Sequence, residues 1–362
     1  MKKVLRQKLE MLTRGVEVKK SQTLIIVIAV IAVVIIAGVA YILLSGPVAP
    51  TVKKIGLITG TGGLGDKSFN DIAYAGALLA KDDFGIELDY NQPTAIAEYE
   101  GIQIDYAETG EYALIICVGF DQVDALTNTA EAYPEQKFAI VDAVVDKPNV
   151  ASLLFKANEG SFLTGVIAGM MTETGKIGFV GGMDIPLIQD FRVGYEAGAE
   201  WSNPDVEILS PIFVGDWGDP AKGKELAVSL IDLGADAIFA AAGGSGLGAL
   251  EAVNQESIIG FGVDSCQDYL YPEIVASMTK RVDIAVYEMI EAAIDGDFAG
   301  GIYEKGVADG WTGCSRLPEE EEFWEETFNF EETPLDAAVL SKLIEAKDGI
   351  IDGTITVPSI YD

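Results

Sequence analysis

From Lys54 onward, short apolar runs of strand length alternate with longer amphipathic stretches. Alternation of this kind predicts parallel sheets flanked by helices. The stretch from Lys54 to the end is roughly 300 residues long, which is more than one hydrophobic core usually holds, so we expect two lobes. The predicted strands include 55–58, 114–118, 138–141, 177–180, 237–240 and 258–262, and the predicted helices 71–83, 122–132, 160–172, 187–201, 221–233 and 246–255.

The N-terminal part contains an uncharged apolar segment at 24–44. A helix of this length, rising about 1.5 Å per residue, crosses a hydrocarbon core about 30 Å thick. We therefore predict a short basic cytoplasmic segment (1–22), a transmembrane anchor (23–45) and a tether (46–53). Basic flanks stay in the cytoplasm, so this predicts a single-pass protein of the cell membrane with an extracellular domain at 54–362. The alternative is a cleaved signal peptide; a lipidated cysteine is not expected, because the first cysteine is Cys117.

The charge of the chain is strongly negative. It has 24 Lys and Arg against 57 Asp and Glu, a net charge of −33, although the first fifty residues are basic. Such a surface repels a polyanion, which excludes general nucleic-acid binding. Two interpretations remain: a surface adapted to high salt, where screening removes the self-repulsion, and an ordinary acidic secreted protein.

Histidine is absent from the sequence. This excludes Ser-His-Asp and Cys-His catalysis and histidine-ligated zinc sites. The three cysteines, Cys117, Cys266 and Cys314, are too widely spaced to indicate a metal cluster. We therefore expect no metal and no cofactor, while a disulfide between Cys266 and Cys314 stays open.

A polar motif, Gly-Asp-Lys-Ser-Phe-Asn at 65–70, follows the first apolar run and a glycine-rich loop. A strand, a glycine loop and a polar cluster around one aromatic are typical of a small-molecule site at the carboxyl end of a strand. Ser68 and Asn70 offer hydrogen bonds, and Phe69 offers a face for stacking. The alternative is a helix N-terminus capped by Asp66 or Ser68, with Phe69 in the core.

Six further segments carry a resemblance to one family. They read Asn-Glu-Gly-Ser-Phe-Leu (158–163), Gly-Lys-Ile-Gly-Phe-Val-Gly-Gly-Met-Asp-Ile-Pro-Leu (175–187), Gly-Asp-Pro-Ala-Lys-Gly (218–223), Ala-Gly-Gly-Ser-Gly (242–246), Gly-Val-Asp (262–264) and Ser-Met-Thr-Lys-Arg-Val-Asp (277–283). Over about 54–290 the chain resembles the basic membrane protein family, the purine-nucleoside receptors of bacterial and archaeal ABC importers.

The resemblance implies a type I periplasmic-binding-protein fold. This fold has two doubly wound parallel-sheet lobes with the ligand in the cleft between them. Lobe 1 would span about 54–155 plus about 281–300, with a helix at Val282–Asp295, and lobe 2 about 156–280, with 301–362 unassigned. The implied partners are a purine nucleoside and the ABC permease and ATPase subunits.

The resemblance also implies a ligand site at the ends of the predicted strands. Phe69 and Phe191 would sandwich the purine, and Asp142 would accept hydrogen bonds from the base edge. Asp264 would bind the ribose hydroxyls, and Lys280 would donate to one of them or pair with Asp264. The other predicted site residues are Asp66, Ser68, Asn70 and Gly244. Two departures from the family pattern, Trp217 and Cys266, leave the base preference open.

Three alternative functions are compatible with the sequence. One is a receptor of the same fold for a sugar or a flavin, and another is a sensor, for which the short N-terminal part leaves no room for an output domain. The third is a nucleoside-cleaving enzyme, which usually needs an aspartate cluster that chelates calcium. We find no such cluster at a strand end in the sequence, so we expect no catalysis. The glutamate-rich segment 319–332 also holds aromatic residues, which favours packing on a lobe over a partner contact.

The negative charge predicts that salt stabilises the fold. The Debye length shrinks from roughly 30 Å at 0.01 M salt to about 3 Å at 1 M, so the repulsion between carboxylates weakens. The melting temperature should therefore rise across this range of NaCl. A flat response would favour the ordinary acidic surface.

Overall fold

The structure is a computed structural model that describes residues 53–330 and 334–362. Two sheets form its centre, the first of order β12-β5-β4-β3-β1-β2 and the second of order β13-β11-β10-β9-β6-β7, with β8 paired to β6. All pairings are parallel except the one between β13 and β11. The strands are β1 (Lys54–Ile58), β2 (Glu87–Asn91), β3 (Tyr112–Val118), β4 (Phe138–Val141), β5 (Val150–Phe155), β6 (Lys176–Gly181), β7 (Glu207–Ile208), β8 (Ile212–Phe213), β9 (Ala237–Ala241), β10 (Ile259–Asp264), β11 (Ile274–Lys280), β12 (Gly301–Lys305) and β13 (Thr312–Cys314).

Helices cover the sheets, which explains why the central strands are apolar along their whole length. Strand β3, Tyr-Ala-Leu-Ile-Ile-Cys-Val, is buried at every position but one. The α/β class with parallel sheets is thus confirmed. The helices are α1 (Phe69–Phe84), α2 (Tyr99–Thr109), α3 (Val123–Ala132), α4 (Ala157–Met171), α5 (Pro186–Ser202), α6 (Pro220–Asp232), α7 (Gly243–Glu256), α8 (Val282–Asp295), α9 (Pro318–Phe328) and α10 (Ala337–Asp352).

The described chain passes between the two sheets three times. It leaves the first sheet after β5, returns to pack α8 against α1 after β11, and leaves again between β12 and β13. One hydrogen bond, from Lys156 N to Lys305 O (2.9 Å), joins the first and third connections. Arg281 N in the second connection donates to Trp311 O in the third (2.8 Å). The lobe limits given from the sequence stay a prediction.

The glutamate-rich segment folds into helix α9 over part of its length. Trp324 is buried among apolar residues of the first sheet's core, and the Arg281 guanidinium lies 5.0 Å from its ring. The ring of Phe328 stacks on that of Tyr269 with centroids 4.3 Å apart. The aromatics of 318–330 therefore pack against the domain. Cys266 and Cys314 are both thiols, so they form no disulfide with each other.

The predicted basic segment, transmembrane anchor and most of the tether lie outside the described residues. Of the helices within 53–330 and 334–362, none has the length and hydropathy needed to cross a membrane.

Helices α4 and α5 pack at backbone contact, which makes glycine necessary there. A Cβ on Gly165 of α4 would lie 2.0 Å from Tyr195 O, whereas a Cβ on the exposed Gly101 of α2 would meet nothing within 4 Å.

We expect Gly165→Ala to force these helices apart and to destabilise the fold by about 1–3 kcal/mol. The matched control Gly101→Ala should stabilise it by about 0.5–1 kcal/mol, because alanine loses less backbone entropy on folding. Thermal unfolding of both variants measures the difference. Equal shifts for the two would contradict the close helix packing.

Candidate ligand-binding site

A cavity lies between the two sheets, at the carboxyl ends of their strands. Its volume, including solvent at the mouth, is about 690 Å³, within the range of about 300–1,000 Å³ usual for small-molecule sites. Of the nine site residues predicted from the sequence, all but Ser68 line it. The lining residues are Gly60, Thr61, Gly62, Asp66, Phe69, Asn70, Gly119, Phe120, Asp121, Asp142, Leu187, Ile188, Phe191, Trp217, Ala241, Gly243, Gly244, Val263, Asp264 and Lys280.

Asp142 and Asp264 occupy equivalent places in the two sheets. Asp142 directly follows β4, and Asp264 is the last residue of β10. Both have left-handed backbone conformations, with φ of 66° and 65°. This conformation is uncommon for residues other than glycine, and residues that adopt it are often found at functional sites. Each strand therefore ends in a turn that brings a carboxylate to the cavity.

Lys280, the last residue of β11, forms an ion pair with Asp142 across the cleft. Both side chains are buried, with 1% and 5% of their surface exposed. Three aromatic rings surround the ammonium: Nζ lies 4.8 Å from the ring centre of Phe69, 5.1 Å from that of Phe155 and 5.5 Å from that of Phe191. The sequence left open whether Lys280 pairs with Asp264, and the structure pairs it with Asp142.

A second bridge between the strand ends involves Ser68. Its hydroxyl donates to Oδ2 of Asp264 (2.5 Å), and Gln267 Nε2 donates to Lys67 O (3.0 Å) beside it. Burial raises the pKa of Asp264 to about 6, although Lys280 and Ser68 act to lower it. The carboxyl that is predicted to bind the ribose is therefore poorly solvated, and its pKa is nearer to neutral pH than that of an ordinary aspartate.

The loop at 65–70 combines the binding and capping interpretations. Asp66 accepts hydrogen bonds from the backbone N–H groups of Ser68, Asn70 and Asp71, so it caps α1. Ser68 makes no capping bond with its side chain. Asn70 donates to Asp66 and accepts from Gly60 N (2.9 Å). Asp66 and Asn70 thus line the cavity but use much of their hydrogen-bonding capacity to shape the loop.

Asp121 and Trp217 are among the lining residues that were not predicted as ligand contacts. Asp121 follows β3 much as Asp142 follows β4, and it accepts a hydrogen bond from Tyr99 Oη (2.8 Å). Burial raises the pKa of Asp121. Trp217 packs so closely on Gly182 that a Cβ there would lie 2.2 Å from the indole ring. The rule that ligand contacts follow strand ends, if applied to β3, would have pointed to Asp121.

Two sheets with a ligand cavity between their strand ends are the architecture of a substrate-binding protein of an ABC transporter. A solved solute-binding protein from Aeropyrum pernix K1 is 32% identical, has a TM-score of 0.75, and is matched over 86% of this chain and 94% of its own. The chain belongs to the PnrA-like family of ABC transporter substrate-binding proteins (Bmp), whose family model matches residues 53–359. The resemblance stated from the sequence is confirmed.

Two curated relatives extend this result. An uncharacterized lipoprotein of Pyrococcus abyssi is 36% identical over 72% of this chain and 68% of its own length. Basic membrane protein A of Borreliella afzelii is 34% identical over 74% of this chain and 84% of its own length.

The predicted single-pass location in the membrane is wrong. The Pyrococcus abyssi relative is described as a lipoprotein, which points to lipid anchoring rather than to a spanning helix. The transmembrane anchor was predicted from the hydropathy and the length of the segment 24–44. They show that a segment is long enough to span a bilayer, and they do not show what holds a protein of this family at the membrane.

The raised pKa of Asp264 predicts a pH dependence of stability. Between its ordinary value of 3.8 and about 6, this carboxyl ionises in the unfolded chain but stays protonated in the folded one. Raising the pH through this window therefore favours unfolding. The melting temperature of Asp264→Asn, relative to the unsubstituted protein, should rise between pH 4 and pH 7.

The matched control is Asp352→Asn. Hydrogen bonds from Thr354 lower the pKa of the Asp352 carboxyl below its ordinary value of 3.8, so this group is ionised in both the folded and the unfolded chain over most of this range. The melting temperature of Asp352→Asn, relative to the unsubstituted protein, should therefore stay nearly constant between pH 4 and pH 7. A pH-independent difference for Asp264→Asn would show that this carboxyl is solvated.

Proposed function

We propose that the protein captures purine nucleosides in the cleft and delivers them to an ABC permease with its ATPase subunits. One observation carries the proposal: Phe69 and Phe191 line the same cavity from opposite sides of the cleft and both lie beside Lys280. Two rings so placed suit a flat base held between them. A domain that closes on its ligand gains both stacking contacts only when the two lobes approach.

The polar groups of the cavity complement the rest of a nucleoside. Asp142 is proposed to accept from a base N–H, and Asp264 to accept from the vicinal ribose hydroxyls. Lys280 is the proposed donor to a ribose hydroxyl. Its ammonium carries three hydrogens, so it can keep its bond to Asp142 while it donates to the ligand. Gly244, in the first turn of α7, has no side chain between its backbone and the ligand.

Charge favours nucleosides over nucleotides. Four aspartates (Asp66, Asp121, Asp142 and Asp264) line the cavity, whereas Lys280 is the only cationic residue of that lining and is already paired. A phosphate would lose its hydration and meet carboxylates without gaining an unpaired cation. We therefore expect adenosine, inosine or guanosine to bind and their monophosphates to be rejected.

Identification of the ligand tests the proposal directly. The protein is purified without added ligand and denatured, and the released small molecules are identified by mass spectrometry. A purine nucleoside supports the proposal, while a sugar or a flavin favours the alternative ligands. Release of free hypoxanthine from added inosine would instead indicate a nucleoside-cleaving enzyme.

Stacking predicts the effect of removing the aromatic faces. Phe69→Leu and Phe191→Leu should each weaken nucleoside binding about tenfold, because aromatic–base stacking is worth about 1–3 kcal/mol. Phe155→Leu is the matched control: this ring also lies beside Lys280, but it does not line the cavity. Calorimetric titration with inosine, guanosine and adenosine measures all three. Equal losses from Phe155→Leu would refute the sandwich.

The same titrations separate the sugar from the base. Asp264→Ala should weaken nucleoside binding but change the affinity for the free bases little, since the ligand contacts that it removes are those to the ribose; the loss of its bond from Ser68 affects nucleosides and free bases alike. Asp142→Asn should change the ranking among the three nucleosides, because it replaces an acceptor with a donor at the base edge. Unchanged nucleoside affinity in Asp264→Ala would contradict the proposed ribose position.

A further inference from the structure

Asp190, which the binding site does not use directly, lies next to Phe191 in helix α5 and is 3% exposed. Its carboxylate accepts hydrogen bonds from two distant parts of the chain. Oδ2 accepts from Asn158 N at the start of α4 (3.3 Å). Oδ1 accepts from the Ser359 hydroxyl (2.7 Å) and from Ile360 N (3.1 Å). One buried side chain thus joins α4, α5 and the segment 354–362, which we call the strap.

The strap has a second buried anchor. Asn158, 6% exposed, donates through Nδ2 to the carbonyl oxygens of Val357 (3.3 Å) and Pro358 (3.1 Å). Buried polar groups that lose their partners are costly, so Asp190 and Asn158 both favour the docked strap. The strap is therefore held by the helix that carries Phe191 and by the helix that starts at the first connection between the sheets.

The two helices transmit displacement because they touch. A Cβ on Gly194 would lie 2.2 Å from Asn158 O, and one on Gly198 would lie 2.0 Å from Phe162 O. Backbones in such contact move together rather than separately. A change at Asn158 or in the strap consequently reaches the turn of α5 that holds Phe191.

The strap also borders the ligand site. It lines a second, open cavity that shares Asp142 and Leu187 with the ligand cavity. Burial, followed by the charges of Asp190 and Asp142, raises the pKa of Tyr361 in the strap.

We propose that Asp190 is a positioning residue, which docks the strap on α4 and α5 and thereby fixes Phe191 in the ligand cavity. This inference rests on the proposed function in so far as Phe191 stacks on a base. Asp190→Asn places an amide N–H against the donors of the strap or of Asn158, so it loosens the strap while it keeps the size of the side chain.

A double-mutant cycle tests the coupling, with inosine as the probe. Asp190→Asn should weaken binding about tenfold, mainly through faster dissociation, the loss expected for one disrupted buried hydrogen bond. In a Phe191→Leu background the same substitution should have almost no further effect. Ser359→Ala should show the same pattern with a smaller loss. Additive effects in the two backgrounds would overturn the proposal, since they would show that Asp190 acts independently of Phe191.

Hydrogen–deuterium exchange without ligand tests positioning independently of the function. Residues 186–195 should exchange faster in Asp190→Asn than in the unsubstituted protein. The control Asp352→Asn removes a carboxylate that bonds Thr354 of the same strap but lines neither cavity, and it should leave 186–195 unchanged. Residues 186–195 could exchange faster in Asp190→Asn while the unsubstituted protein fails to bind inosine. That outcome would support the positioning role and refute the proposal that the ligand is a purine nucleoside. Unchanged exchange at 186–195 would refute the positioning role.

Discussion

The ion pair between Lys280 and Asp142 is the interaction on which the cleft depends. It joins the end of β11 in one sheet to the end of β4 in the other, with both side chains almost completely buried. Desolvation makes such a pair expensive, and removal of one partner leaves a buried charge that typically costs about 3–5 kcal/mol. The rings of Phe69, Phe155 and Phe191 offset part of this cost through their electron-rich faces. The same group of residues therefore holds the two sides of the cleft together and forms the ligand surface.

Topology explains why these side chains meet. In a parallel sheet the carboxyl ends of neighbouring strands lie at one edge, so loops after β1, β3 and β4 converge there, as do those after β6, β9, β10 and β11 in the other sheet. Asp142 and Asp264 then need a left-handed turn immediately after their strands. Asparagine and aspartate adopt this conformation more readily than other residues with side chains. The backbone strain is small for this residue type, and it places one carboxylate on each side of the cavity.

Much of the fold followed from the sequence because the strong signals are local. The predicted strand at 138–141 is observed as β4, and the helix expected at Val282–Asp295 is α8. Helix α2, Tyr-Glu-Gly-Ile-Gln-Ile-Asp-Tyr-Ala-Glu-Thr, was not singled out, since it has no clear apolar face. For the site, the sequence indicated which residues follow strand ends and which are aromatic. It did not indicate which side chains form hydrogen bonds or ion pairs with each other. The bonds from Ser68 to Asp264 and from Lys280 to Asp142 span 196 and 138 residues, and only tertiary structure selects such partners.

Binding and stability compete at the cleft. Burial penalises the ionised forms of Asp66, Asp121 and Asp264, so the folded state carries carboxyls that would be better solvated in the unfolded chain. A ligand with several hydroxyl and N–H donors can supply the hydrogen bonds that water no longer provides there, and it does so only when both sides of the cleft contact it. The unfavourable placement of these groups therefore becomes a source of binding energy and of selectivity. A solute without such donors would leave the carboxylates poorly solvated, and an anionic one would add repulsion to that cost.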